Sequence, residues 1–328
     1  VHPAERCLAD ADRLAGVTVL VTGASDGIGR ETALALGRRG ASVLVHGRDE
    51  AKAAGVVQEV EATDGEGVGP FTADFLDLDA VRALAATAEA HEVDVLVNNA
   101  GATFSSGGRS DLGVERTIHV NHLGPFVLTN RLLPRLRESD GPTDADDTGR
   151  VVVVASEAHQ GAPLDLPSFG RSESYDQLSA YRQSKLANLA FTFELARREA
   201  KRERPVPVNA THPGFVPGSA LWRDVSLPVR AGIGLARRLP DRLRPSMLKS
   251  EADGAAPSVY LAAAETTADW MGEYVTGCHR IEASEAARDR TNWARLWSWS
   301  AEVTREGTGA DEDLRIDEDA GPDAAGGA

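Results

Sequence analysis

Four short apolar runs recur along the chain, at Val17–Val21, Val43–Val45, Val93–Val97 and Val151–Val154. Each is almost continuously apolar rather than alternating, as expected of strands covered on both faces in a parallel sheet. Between them, Ile28–Arg38, Ala80–Ala90 and Gly124–Leu136 carry apolar positions at helical spacing. Strand and helix alternating at this rhythm predict right-handed βαβ units and an α/β, doubly wound parallel sheet flanked by helices. The acidic stretch Glu138–Gly149 interrupts the pattern, which resumes at once with a buried strand, so it reads as a surface loop within one domain. That domain spans residues 13–305. Residues 306–328 are acidic, rich in Gly and Ala, and expected to form a disordered tail.

Composition narrows the function classes. The 328 residues are 42% hydrophobic, enough for a sizeable core, and the formal net charge of −15 argues against nucleic acid. No apolar run approaches the ~18–20 residues that cross a membrane, and Val1–Arg13 lacks the apolar stretch of a signal peptide. Cys7 and Cys278 are the only cysteines, too few for a disulfide framework or a zinc site, and imply a reduced, cytoplasmic setting. Lysine occurs only at positions 52, 185, 201 and 249. An acid excess with scarce lysine fits a halophilic, salt-adapted surface; high-GC codon usage gives the same bias.

The first strand runs into Thr22-Gly23-Ala24-Ser25-Asp26-Gly27-Ile28-Gly29, and a helix follows. Glycines let the backbone approach a pyrophosphate, and the helix N-terminus offers free N–H groups and the positive end of its dipole. In this strand–loop–helix context the motif marks a Rossmann-type dinucleotide site. Further on, Tyr181 and Lys185 stand four residues apart on a predicted helix, hence on one face. A fixed ammonium there would stabilise a phenolate and lower a tyrosine pKa from its usual ~10. Tyr181 would then exchange a proton with an alcohol or carbonyl.

Together these residues resemble the short-chain dehydrogenase/reductase family, whose glycine motif is TGxxxGxG. The resemblance implies a catalytic tetrad of Asn121, Ser156, Tyr181 and Lys185. Ser156 would orient the reacting oxygen, Asn121 would hold a proton-relay water, and Lys185 would also contact the nicotinamide ribose. It implies cofactor contacts at Thr22, Gly23, Ser25, Asp26, Gly27, Ile28 and Gly29, at Asp74 for adenine, and at Asn98, Ala100 and Gly101 of the NNAG segment. Pro213, Gly214 and Val216 of the His212–Val216 segment would meet the carboxamide, with Ser219 in place of the family's usual threonine. NAD-preferring relatives carry an acid where this chain has Gly47. With Arg48 beside it as a phosphate fork, NADP is expected over NAD. No metal is required.

The segments around Asn121, Ser156 and Tyr181 are most similar to the retinol dehydrogenase-like branch, and the region after His212 also resembles protochlorophyllide reductases. The loops 157–179 and 221–250 are expected to form a substrate lid. Phe169, Leu221, Trp222 and Leu227 there point to an apolar aldehyde, ketone or alcohol. His159 and His212 are read as structural, and Trp293, Trp297 and Trp299 as packing residues. Family members often pair through the helices flanking the central strands, so a homodimer or homotetramer is expected, with the acidic loop 138–149 redirecting that contact. The alternative is an NADP-binding sensor without turnover. An extended-branch epimerase would need TGxxGxxG spacing, which the chain lacks.

Overall fold

The apolar runs assemble into one sheet. The computed structural model describes residues 13–170, 175–216 and 249–307, together with Pro3, Leu8 and Ala9. Among them, β1 (Thr18–Val21), β2 (Ser42–Gly47), β3 (Glu66–Thr72), β4 (Val95–Asn98), β5 (Arg150–Val154), β6 (Val208–Thr211), β7 (Tyr274–Thr276) and β8 (His279–Arg280) pair in the order β3-β2-β1-β4-β5-β6-β7-β8. All pairings are parallel except β7 with β8. The order reverses direction between β1 and β4, and this switch point opens a crevice at the carboxyl ends of the strands.

Helices α1 (Gly27–Gly37) and α2 (Glu50–Glu61) cover one face, and α3 (Leu78–Ala90) the other, each started by an aspartate that caps its free N–H groups. A turn of helix, α4 (Arg116–Ile118), continues through a π-helical turn at His119–Leu123 into α5 (Gly124–Glu138). Helix α6 (Gln177–Glu199) is buried over most of its circumference, as befits an element packed on the sheet and covered again from outside. Helix α7 (Glu251–Ala263) opens on a Ser250–Asp253 capping box and packs beside α1.

A short helix, α8 (Glu285–Arg288), leads into α9 (Arg290–Thr304), which lies across α5 and α6. Trp297 inserts there, its ring centroid 5.1 Å from Phe126 and 6.1 Å from Phe191, with the Arg198 guanidinium 4.1 Å from its ring centre. Trp293 packs on Phe193, and its indole N–H donates to Ala287 O (2.6 Å). The tryptophans therefore pack as expected. Just past α9, Glu306 accepts from Arg82 of α3 (2.9 Å) and Arg131 of α5 (2.7 Å), fastening this end to both helices.

Three expectations change. Phe169 is not a lid residue: it is fully buried and its ring meets Trp299 edge-on at 5.2 Å, because the loop after β5 folds back onto α9. The acidic loop is not wholly a surface loop. Asp146 is buried and takes both Nε (2.8 Å) and Nη2 (2.7 Å) of buried Arg150, whose Nη1 donates to Leu261 O, Ala264 O and Thr267 Oγ1. The thiol state also differs: Cys278 is disulfide-bonded, where a reduced cysteine was expected. The other cysteine, Cys7, lies outside the described residues, as do Ser219, Leu221, Trp222, Leu227 and residues 308–328. Among the described residues, no helix is long and apolar enough to cross a membrane.

Candidate active site

The carboxyl ends of β1, β2, β4, β5 and β6 border a cleft of about 840 Å³. At its base, Gly23 and Gly29 of the glycine loop and Gly47 beside it have no room for a side chain. A Cβ on Gly29 would stand 2.2 Å from Gly23 O, and one on Gly47 would stand 2.7 Å from Ser25 Cβ. Such close backbone approach is what a bound pyrophosphate needs. Asp26 caps α1 by accepting from Gly27 N (2.9 Å). Gly23, Ser25, Asp26, Gly27, Ile28 and Gly29 all line the cleft, and the residues present fit a dinucleotide.

Two further expected contacts stand behind the wall. Thr22 is fully buried, and its Oγ1 accepts from the N–H groups of Asn99 and Ala100 (3.0 Å each), holding the NNAG turn. Asn98, the last residue of β4, is covered on both faces and donates to Thr129 Oγ1 (2.8 Å). The asparagine in the cleft is Asn99, whose Nδ2 donates to Thr22 O (2.8 Å). Asp74, Ala100 and Gly101 line the cleft as expected.

At the adenosine end, Arg48 is exposed at the lip, joined by Lys52 from the first turn of α2, whose Nζ lies 3.6 Å from Asp26 Oδ2. Sequence reading found Arg48 and missed Lys52; the signal was its place one helical turn further on. His46 was also missed. Its Nδ1 accepts from Gly23 N (3.2 Å), so Nε2 carries the proton and donates to Ala73 O (3.1 Å), while the ring stacks on Phe75 at 5.1 Å. Burial pushes its pKa down to about 4. One neutral imidazole thus ties the pyrophosphate loop to the adenine wall.

At the other end Tyr181, Lys185 and Ser156 converge. Lys185 Nζ is 5.8 Å from the Tyr181 ring centroid and donates to Val154 O (2.7 Å). The phenol shares a hydrogen bond with Ser156. Its pKa, expected to fall, is instead pushed up to about 12 by burial, which outweighs that hydrogen bond. Burial also pushes Lys185 down to about 8, weakening the positive charge expected to stabilise the phenolate. Asn121 lies behind the cleft wall within the π turn. Its Oδ1 accepts from Ala102 N (2.7 Å) and its Nδ2 donates to Ser184 Oγ (3.0 Å). With its amide turned to satisfy its neighbours, buried Asn188 donates to Asn121 O (2.8 Å) and Ser184 O (3.2 Å).

Pro213, Gly214 and Val216 follow β6 along the cleft, with the exposed rings and chains of Phe215 and Leu178 at its mouth. His159 is structural as expected: Nδ1–H donates to Ser156 O (2.7 Å) and Nε2 accepts from Ser284 N (3.0 Å). His212 lines the cleft, and its Nδ1 accepts from Glu157 N (3.2 Å).

A doubly wound sheet with a glycine cradle at its switch point and a Tyr–Lys–Ser cluster over it defines a nicotinamide-dependent oxidoreductase. The short chain dehydrogenase family profile matches residues 17–227, and the chain belongs to that family. It is 35% identical over 305 residues to mouse (Mus musculus) retinol dehydrogenase 14, covering 89% of this chain and 86% of that protein. Against human (Homo sapiens) retinol dehydrogenase 13 it is 35% identical over 295 residues, covering 88% and 84%. Among solved structures, an uncharacterized protein from Mycobacterium paratuberculosis matches with TM-score 0.68 and 32% identity, over 90% of this chain and 96% of that one. An NAD(P)-dependent gluconate 5-dehydrogenase from Beutenbergia cavernae, solved with bound NADP, matches with TM-score 0.59 and 28% identity, over 81% and 96%. The chain is an NAD(P)-dependent oxidoreductase acting on CH–OH groups.

Proposed function

We propose that the protein is an NADP-dependent reductase of apolar aldehydes or ketones, with Tyr181 as its acid. The observation that carries this reading is the convergence of Tyr181, Ser156 and Lys185 at the apolar end of the cleft. A bound nicotinamide cofactor supplies the hydride. A phenol held at about 12 stays protonated at neutral pH, the form that donates to a carbonyl oxygen during reduction. Ser156 donates a second hydrogen bond to that oxygen and stabilises the charge developing on it. Lys185 donates from beneath the phenol to the ribose. Asn121, within the π turn, holds the relay water at its main-chain carbonyl, beside the Asn188 amide that donates to the same oxygen.

NADP over NAD is supported by Gly47, where a carboxylate would strike Ser25, and by the two cations Arg48 and Lys52 at the lip. A phosphate would draw Lys52 from its exposed, weak pairing with Asp26. Thr22 and Asn98 act one layer out, setting the turn that carries Asn99, Ala100 and Gly101. An apolar substrate is supported by Leu178 and Phe215 at the mouth and by the names of the retinol dehydrogenases that this chain is similar to.

The test is NADPH oxidation over a panel of apolar aldehydes and ketones, in low and molar salt, with NADH as control and Tyr181→Phe alongside. Turnover should prefer NADPH and fall by about a hundred- to ten-thousand-fold in the variant. NADPH binding without turnover of any carbonyl would favour a sensor instead.

A further inference from the structure

Glu157 follows the catalytic Ser156 directly and lines the cleft with it. It opens a helical turn, Glu157–His159, which Ser156 Oγ caps by accepting from Ala158 N (3.2 Å). The backbone N–H of Glu157 donates to His212 Nδ1 (3.2 Å), so the proton of this imidazole is on Nε2. That nitrogen faces Glu157 Oε2 at 3.4 Å. His212 is in turn fixed by main-chain bonds, its N–H donating to Val275 O (2.7 Å) and its carbonyl accepting from Thr276 Oγ1 (3.0 Å). The carboxylate is therefore aimed by a rigid neutral donor that does not cancel its charge. Its side chain remains 75% exposed, facing the open cleft.

Its surroundings make that charge conspicuous. Besides Ser156, Tyr181 and His212, the other described residues lining the substrate end are small or apolar, among them Ala102, Ala158, Leu178 and Phe215. The lining cation, Lys185, is buried with Nζ turned to Val154 O. Nearby Arg182 is held by Ala158 O and Gln160 O, while Lys249 packs beside Gly214. Arg48 and Lys52 are at the adenosine end. A substrate whose carbonyl oxygen reaches Tyr181 and Ser156 must pass its remaining atoms beside Glu157. We infer that Glu157, held by His212, is a charge filter at the substrate mouth: it admits neutral and cationic carbonyl compounds and turns away carboxylated ones. A like charge a few ångströms away, screened by solvent at this exposed carboxylate, lowers binding by about three- to tenfold.

This inference rests on the reductase reading and is tested beside it. Benzaldehyde, 4-carboxybenzaldehyde and 4-(trimethylammonio)benzaldehyde share one ring and differ in charge. They would be assayed with NADPH on the wild type, Glu157→Gln and Glu157→Lys. Glu89→Gln, an exposed change on α3 away from the cleft, controls for the overall field of the acidic protein. The readout is the ratio of kcat/KM for the carboxylated compound to that for benzaldehyde, compared between variants so that intrinsic reactivity cancels. The ratio should rise by about three- to tenfold in Glu157→Gln, rise further in Glu157→Lys with preference for the cation lost, and stay at the wild-type value in Glu89→Gln. The same compounds titrated calorimetrically into NADPH-loaded protein should follow the same order in Kd. Turnover with a ratio flat across the Glu157 series overturns the filter and leaves the reductase standing. Binding that follows the series without turnover overturns the reductase and upholds the filter. A ratio that shifts as much in Glu89→Gln as in Glu157→Gln also overturns the filter.

Discussion

The side chain whose role was least visible beforehand is His46. Buried and neutral, it accepts from Gly23 N and donates to Ala73 O, so losing it loosens both walls of the cofactor cleft. His46→Ala should weaken NADPH binding by about tenfold, read by quenching of protein fluorescence, since one buried hydrogen bond is worth about 1 kcal/mol and an orphaned partner more. A pH effect follows from its pKa, which lies near 4 in the fold against 6.5 ordinarily. The unfolded chain takes up this proton below 6.5 and the folded chain does not until about 4. The stabilisation is thus complete above 6.5 and lost as pH falls across that window. Urea unfolding at pH 7.5 and 4.5 should show a drop smaller by about 2–3 kcal/mol in His46→Gln; an equal drop in both proteins would contradict the assignment. Tyr181, Lys185 and Ser156 were legible because their spacing and order carry the chemistry. The choice between Asn98 and Asn99 was not, because adjacent asparagines at a strand end differ only in which one the sheet has already covered. Lys52 was missed although it stands four residues after Arg48, because that spacing counts only once the first turn of α2 is seen to face the lip.

Regular elements were legible where periodicity is strong. β1, β2, β4 and β5 fall within a residue or two of the apolar runs, and α1, α3 and α5 match the helical spacing. β7 and β8 are too short to give a pattern, β6 (Val208–Thr211) carries polar Asn209 and Thr211 in place of an apolar run, and Pro257 inside α7 masks a helix that begins on a strong cap. The π turn is also silent, because one extra residue in a helical turn leaves composition unchanged. The acidic loop misled for a different reason: its charge hid the buried carboxylate of Asp146. That residue and Arg150 anchor the loop to the end of α7, at the opposite end of β5 from Ser156. Asp146→Asn leaves a buried guanidinium short of its counter-charge and should cost about 3–5 kcal/mol in urea unfolding. NADPH affinity, measured below the unfolding transition, should stay within twofold of wild type, roughly the limit of a fluorescence titration. A larger loss of affinity would mean that the two ends of the sheet are coupled.

The arrangement of the whole chain bears on its assembly. Pairing was expected through helices flanking the central strands; of these, α6 is covered by α9 of the same chain and α5 meets it where Trp297 sits between Phe126 and Phe191. The protein should accordingly run as a monomer near 34.7 kDa in light scattering; a dimer at micromolar concentration would show that it pairs through another face. No local pattern announces this cover, because Trp297 and Phe126 are brought together only by tertiary folding. The same cover has a consequence for synthesis. As the chain leaves the ribosome, the catalytic residues of α6 emerge about a hundred residues before the helix that shields their outer flank. Until Arg290–Thr304 is extruded and Glu306 reaches Arg82 and Arg131, the aromatic rings of α5 and α6 face water and one another's neighbours on the polysome. A message broken or a chain stalled within that interval releases a product that carries every catalytic side chain and is prone to aggregate, which makes α9 a checkpoint on how far synthesis has run.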